Sequence, residues 1–177
     1  MYSHFDLVEL SRIWLAKRCP VVVTEIQSSG RERPDALGFD NKGSVLIECK
    51  VSRDDFWSDK RKPARLYPDW GLGIYRYYMC PHGLIKVDEL PDKWGLLYVK
   101  DDRVRCKKKA ESFSQVRLRG EYCGKAYGAE IAILISALRR VEGVHIQKYE
   151  YHGGGQATLT VRSNESSDNR RNDRSGA

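Results

Sequence analysis

A mixed α/β fold packed around one sheet is what this sequence predicts, and three features predict it. A segment of helical period opens the chain, several β-branched or aromatic segments of strand length follow, and a second strongly periodic helix comes late. Phe5 to Arg18 reads as the first helix. Leu7, Leu10 and Trp14 recur at helical spacing, Val8 and Leu15 widen the stripe, Ser3 can cap the start and Pro20 ends it. Val21 to Gln27 follows as a β-branched strand, closed by the Ser28-Ser29-Gly30 turn. Arg33 to Phe39 and Ser44 to Val51 read as a hairpin joined through Asp40-Asn41-Lys42-Gly43. Alternating charges from Arg53 to Arg65 predict a short helix closed near Pro63. Ile74 to Cys80 and Trp94 to Val99 are further strands, with Pro81-His82-Gly83 and Leu90-Pro91-Asp92 as turns between them. A basic connection without clear pattern then runs to about Tyr127. Ala129 to Val141 is the clearest helix, with Ile131, Leu134, Ile135, Leu138 and Val141 on one face. His145 to Tyr151 and Gln156 to Arg162 can pair across Gly153-Gly154-Gly155. Polar composition from Ser163 onward predicts disorder, so residues 1–162 are expected as a single domain and 163–177 as a tail.

Composition narrows the class. A hydrophobic fraction of 41% beside a charged fraction of 31% describes a soluble globular chain. No apolar run approaches the roughly 20 residues that cross a bilayer, and the start lacks a basic stretch followed by an apolar block, so neither a membrane partner nor a signal peptide is expected. The five cysteines are scattered and contain no C-x-x-C pair, which argues for a reducing, cytoplasmic location and against a structural zinc. The formal net charge is +7, and the tail, with three arginines and three acids, contributes none of it. Lys100 to Lys125 holds nine Lys/Arg against four Asp/Glu, including Lys107-Lys108-Lys109. Such a stretch favours a polyanion partner, although a lysine run is as often only a solvated loop.

The chemistry concentrates in the hairpin. Leu46, Glu48 and Lys50 share one face of their strand, and Val45, Ile47, Cys49 and Val51 share the other, apolar face. If the turn pairs Phe39 with Ser44, Asp35 lies opposite Glu48; a turn at Lys42-Gly43 would place it opposite Lys50 instead. Opposed carboxylates repel unless a positive charge lies between them, and Mg²⁺ is commonly held by one or two carboxylates with water and phosphate completing its shell. Lys50 would sit beside such an ion, placed to hold a water or hydroxide nucleophile or to stabilise the charge of a phosphorane. The competing reading is an ordinary Asp35–Lys50 ion pair with Glu48 at a solvated edge.

Pro34-Asp35, the hairpin, and Glu48-x-Lys50 together resemble the signature of the PD-(D/E)XK nuclease superfamily. That resemblance implies a restriction-endonuclease-like αβββαβ core, a mixed central sheet flanked by helices. It further implies Mg²⁺ or Mn²⁺ held by Asp35, Glu48 and the Cys49 carbonyl, with Lys50 assisting catalysis. Val23-Thr24-Glu25, Glu48-x-Lys50, Ser52-Arg53-Asp54-Asp55-Phe56 and Asp59-Lys60-Arg61 are similar to the MmcB-like branch, which is linked to bacterial DNA repair. Here Lys60-Arg61 reverses the order of that branch's basic step, and the tryptophan that usually follows is absent. The likeness runs from about Leu7 to Val99 and leaves Lys100 to Ala177 unexplained. Many members of the superfamily act as dimers, so a second copy of the chain is among the partners the resemblance implies.

Around this centre, Glu25 and Glu9 compete as a supporting acidic ligand, with Glu25 favoured because a lone glutamate in an apolar strand needs a metal, Arg31 or Arg33 beside it. Arg53 and Lys60 are placed to contact phosphate, each weighed against a plain solvated helix charge. Asp59 is read as pairing with Lys62 or Arg53, or as helping to cap its helix. Trp70, Tyr75, Tyr77 and Tyr78 are candidates for stacking on bases, but an aromatic strand more often fills a core. His82 is read as structural. The expected function is metal-dependent hydrolysis of DNA, in repair or processing; nothing in the sequence separates DNA from RNA. A scaffold of the same fold that only binds nucleic acid or protein is the alternative.

Overall fold

The computed structural model describes residues 2–26, 32–68, 71–113, 124–141, 146–152 and 156–162. The expected tail, Trp70, Arg31 and Cys123 lie outside them. The chain divides into two compact units, residues 1–136 and 137–177. In the first, α1 (His4–Ala16) leads into β1 (Val21–Thr24), β2 (Ala36–Asp40) and β3 (Gly43–Cys49). Then come α2 (Arg53–Asp59), α3 (Pro63–Leu66), β4 (Tyr75–Pro81), β5 (Gly95–Lys100) and β6 (Arg103–Lys108). A further helix, α4 (Gly124–Leu138), ends just past the boundary. In the second unit β7 (Ile146–His152) pairs antiparallel with β8 (Gln156–Arg162), the late hairpin expected from the sequence.

Ser3 caps α1 as expected. Its hydroxyl accepts from the Asp6 amide at 3.2 Å, while the Asp6 carboxylate accepts from the Ser3 amide at 2.7 Å. Leu7, Val8 and Leu15 point from α1 onto a core with Ala36, Ile47, Cys49, Met79, Leu97 and Val99. The Ser11 hydroxyl, buried in that interface, meets Cys49 Sγ at 3.2 Å and donates to Met79 Sδ at 3.1 Å.

The six strands of the first unit lie in the order β1-β2-β3-β4-β5-β6. β1, β2 and β3 form an antiparallel meander, β3, β4 and β5 run parallel, and β6 returns antiparallel to β5. α1 covers one face. On the other, Phe56 of α2 packs edge-on against Tyr78 at 5.2 Å, and Tyr78 stacks on Trp94 at 4.3 Å. Tyr77 and Tyr78 are therefore core residues rather than base-stacking ones.

Three local expectations are corrected. Charged residues 53–65 form two short helices, because Pro63 starts a new helix at its first turn. The strand expected to run from Val21 to Gln27 ends at Thr24, and Glu25 turns out of it with a φ of 47°. The patternless basic connection contains a strand, β6, joined to β5 by the two-residue turn Asp101-Asp102 with φ of 50° and 54°. That is the left-handed geometry a tight hairpin requires, supplied here without the glycine that usually signals it.

Candidate metal and ion-pair site

The register of the hairpin decides where its acids lie. Phe39 pairs with Ser44 and Asp40 with Gly43, so the turn residues are Asn41 and Lys42. The ladder reaches Ala36 opposite Ile47, and one step further sets Asp35, just before β2, across from Glu48. Asp35 is held there by its surroundings: its Oδ2 accepts from the Cys49 amide at 2.7 Å, and His4 Nε2 lies 3.4 Å from Oδ1. Its own carbonyl accepts from the Glu25 amide at 3.1 Å.

Alternation along β3 turns Glu48 away from α1 and toward α2 and α3. Lys50 follows on that face, its amide donating to the Met79 carbonyl at 2.8 Å so that the chain stays in the sheet one residue beyond β3. Both are enclosed, Glu48 1% and Lys50 3% exposed. Lys50 Nζ lies 3.4 Å from Glu48, 3.4 Å from Asp59 and 3.8 Å from Asp55. Ser52 caps α2 by accepting from the Asp55 amide, which starts the helix that carries Asp59 back over the strand. Asp59 accepts from Tyr78 Oη at 2.7 Å and Arg65 Nε at 2.7 Å, and Lys62 Nζ stands 2.7 Å away. Arg65 Nη2 is 3.3 Å from Glu48 Oε1, and Nη1 pairs with Glu32. Its guanidinium also lies 4.8 Å over the Trp94 ring.

The electrostatics are unbalanced. Among the described residues, five carboxylates (Glu32, Asp35, Glu48, Asp55, Asp59) gather around three cations (Lys50, Lys62, Arg65), a net charge of −2 with these ionised and His4 left out of the sum. Glu48 bears the imbalance. Its pKa is raised to about 7: burial pushes it up most, Arg65 and Lys50 draw it down, and Asp35 and Asp59 push it up again. Its Oε1 accepts no hydrogen bond among the described residues. Asp59 shifts the other way: burial opposes its charge, yet Arg65 and Lys50 hold it well below the usual carboxylate range. Burial also works against the Lys50 cation, but Glu48 and Asp59 outweigh it and raise its pKa. Lys50 is thus a cation at neutral pH, able to orient a water or stabilise an anion, and not a neutral amine able to act as a base.

Among the described residues, no group of three or more His, Cys, Asp or Glu side chains is arranged to hold a metal ion. Asp35 and Glu48 nevertheless suit a divalent cation of the Mg²⁺ type, which needs only one or two carboxylates and fills its other positions with water and phosphate. The excess negative charge around Glu48, whose Oε1 faces Arg65 but accepts no hydrogen bond among the described residues, is what such an ion would relieve.

The other expected residues fall elsewhere. Glu9 pairs with Arg12 at 2.6 Å on the outside of α1, and Glu25 lies 3.7 Å from Arg33, one of the partners expected for it. Arg53 donates to Glu89 at 2.7 and 2.5 Å and to the Leu84 carbonyl, and Lys60 donates to the Glu89 carbonyl at 2.9 Å. Both cations tie their helix to the Leu84–Glu89 segment. Lys107 and Lys108 end β6, and Lys109 follows it. Sequence reasoning missed Asp59, Arg65, Glu32 and Tyr78 as members of the cluster. The Asp59–Lys62 pairing was readable from helical spacing, but Glu32 and Tyr78 reach the cluster only through the tertiary fold.

No protein-family model matches the chain, and no curated protein does. Among solved structures, it is similar to a protein of unknown function from Silicibacter pomeroyi, at 23% identity and a TM-score of 0.49, over 68% of this chain and 75% of that one.

Proposed function

We propose that the protein is a metal-dependent nuclease of PD-(D/E)XK type acting on DNA, in the manner of the MmcB-like repair-associated branch. The observation that carries this reading is the hairpin register, which sets Asp35 across from Glu48 with Lys50 next on the same face. A restriction-endonuclease-like core is part of the proposal. It is supported by chain order: a helix, an antiparallel three-strand meander, helices, then a strand parallel to the third; β5 and β6 extend the sheet beyond that core. Asp35, Glu48 and the Cys49 carbonyl would hold Mg²⁺ or Mn²⁺, which when bound would neutralise phosphate charge and acidify a water. Lys50, kept charged by Glu48 and Asp59, would orient the attacking water and stabilise the pentavalent phosphorus centre as negative charge builds on it. Asp59 and Arg65 would fix Lys50 and Glu48 in place. A cytoplasmic setting is consistent with free cysteines and with the absence, among the described residues, of a helix long and apolar enough to cross a membrane.

A second reading has its own observation. Glu48 and Lys50 are almost fully enclosed in an ion network, as expected of a structural device in a scaffold that binds nucleic acid or protein without cutting it. Cleavage of labelled single-stranded, duplex and branched DNA, with parallel RNA substrates, in Mg²⁺, Mn²⁺ or EDTA separates the two. Metal-dependent cutting that Asp35→Asn abolishes is the expected result. No cutting of any substrate, with equal binding by both proteins, moves the conclusion to the scaffold.

A further inference from the structure

The turn at Asp101-Asp102 brings together residues that look unrelated in sequence. Lys100 opposes Arg103, and Tyr98 opposes Arg105, across the β5–β6 ladder. Directly opposed residues share a face. Leu97 and Val99 belong to the core under α1, and Val104 packs against it, so alternation turns Tyr98, Lys100, Arg103 and Arg105 to the opposite side of the sheet. The pairing shifts between Leu96 and Leu97, and Lys107 is the unpaired residue at that bulge. The result is a cavity of about 610 Å³ walled by these cations, with the rings of His82 and Tyr98 4.9 Å apart at one side. Asp101 is the one acid in its wall among the described residues. The guanidinium groups of Arg103 and Arg105 have no hydrogen-bond or ion-pair partner among the described residues, in contrast to Arg53, Arg65 and Arg76.

We infer that this β5–β6 face binds a single-stranded nucleic-acid segment, its phosphates on Arg103, Arg105 and Lys107 and a base against the His82–Tyr98 rings. Charge complementarity selects a polyanion, and unpaired cations beside exposed ring surface are the combination that retains single strands. The placement suits delivery to the site above. Continuing the register by one residue sets Lys50 beside Cys80, which pairs with Tyr98, which pairs with Arg105. Three inter-strand steps, about 14 Å, therefore separate the β6 cations from Lys50 on the same side of the sheet. This deepens the nuclease reading by giving its substrate a path, but the test does not use cleavage.

The test is fluorescence anisotropy with labelled 20-nucleotide single strands and the matching duplex, in EDTA, over a salt series. Wild type is compared with the double variant Arg103→Glu/Arg105→Glu, with His82→Ala, and with Lys42→Glu at the far β2–β3 turn. Tighter binding of the single strand is expected. The double variant should weaken it at least tenfold and flatten the log K against log salt slope by about 1.4, for two lost phosphate contacts. His82→Ala should weaken single-strand binding and leave duplex binding unchanged, and Lys42→Glu should bind as wild type does. Wild-type affinity in the double variant, with its circular dichroism intact, or a preference for duplex, overturns the inference. In the first case the cations serve only to keep an edge strand from pairing with other chains. Failure to cut DNA in the metal assay leaves this result untouched.

Discussion

Lys50 is a cation because Glu48 and Asp59 hold it so, and its loss has two separable consequences. Lys50→Ala should abolish cleavage while leaving the circular dichroism spectrum and DNA affinity close to wild type; unchanged cleavage would remove Lys50 from the mechanism. Asp59 is the more dangerous residue to alter, since Asp59→Ala takes from buried Arg65 and Lys50 a carboxylate that pairs with both and leaves Tyr78 Oη without its acceptor. Glu48, Asp55 and Glu32 still face the two cations, so the expected loss in urea unfolding is about 3 kcal/mol, the lower end of the usual cost of breaking one side of a buried pair. Glu48 gives a pH signature. Its pKa is about 7 folded against 4.5 for the ordinary group, so between those values the folded state holds the extra proton. This group's contribution to stability therefore falls as pH rises from about 4.5 to 7. Asp59, whose pKa is depressed, and Glu89, lowered to about 2 by its hydrogen bonds from Arg53 and Lys86, act in the other direction and only below that window. In EDTA, Glu48→Gln should remove the decline between pH 4.5 and 7; an identical profile in the variant would mean that Glu48 ionises normally.

The elements that hold these residues depend on close approach. Gly38 in β2 lies under α1, where an added Cβ would come within 2.7 Å of Cys19 Sγ and 3.1 Å of Leu15 Cδ2. Gly38→Ala should cost about 1–3 kcal/mol through overpacking, measured as a lower urea midpoint at unchanged m-value. Both hairpins show why some elements were legible and others not. The β2–β3 turn carries polar residues between two patterned strands, and counting left two registers, of which the ladder has Phe39 opposite Ser44. The β5–β6 turn uses Asp101-Asp102, and β6 alternates one half-buried valine and a cysteine with cations, so neither the turn signal nor an apolar face announced a strand.

For the molecule as a whole, alternation in β3 marked Glu48 and Lys50 as intrusions in a buried strand, and the pair was legible for that reason. Their partners were not, because Asp59, Arg65, Glu32 and Tyr78 come from four segments that only the packing of α2 and α3 on the sheet brings together. The tie of Arg53 and Lys60 to the Leu84–Glu89 segment was not legible for a similar reason, since it depends on a contact distant in sequence. What unites the assembled site is its charge: five acids and three cations around a Glu48 oxygen that accepts no hydrogen bond among the described residues. The central claim is that a divalent cation completes this balance. Titration of the metal-free protein with Mn²⁺, read as loss of the free-ion electron paramagnetic resonance signal, tests it most directly. Wild type should take up Mn²⁺ stoichiometrically, and both Asp35→Asn and Glu48→Gln should lose that uptake. Equal uptake by all three proteins, or none by wild type, would contradict the account.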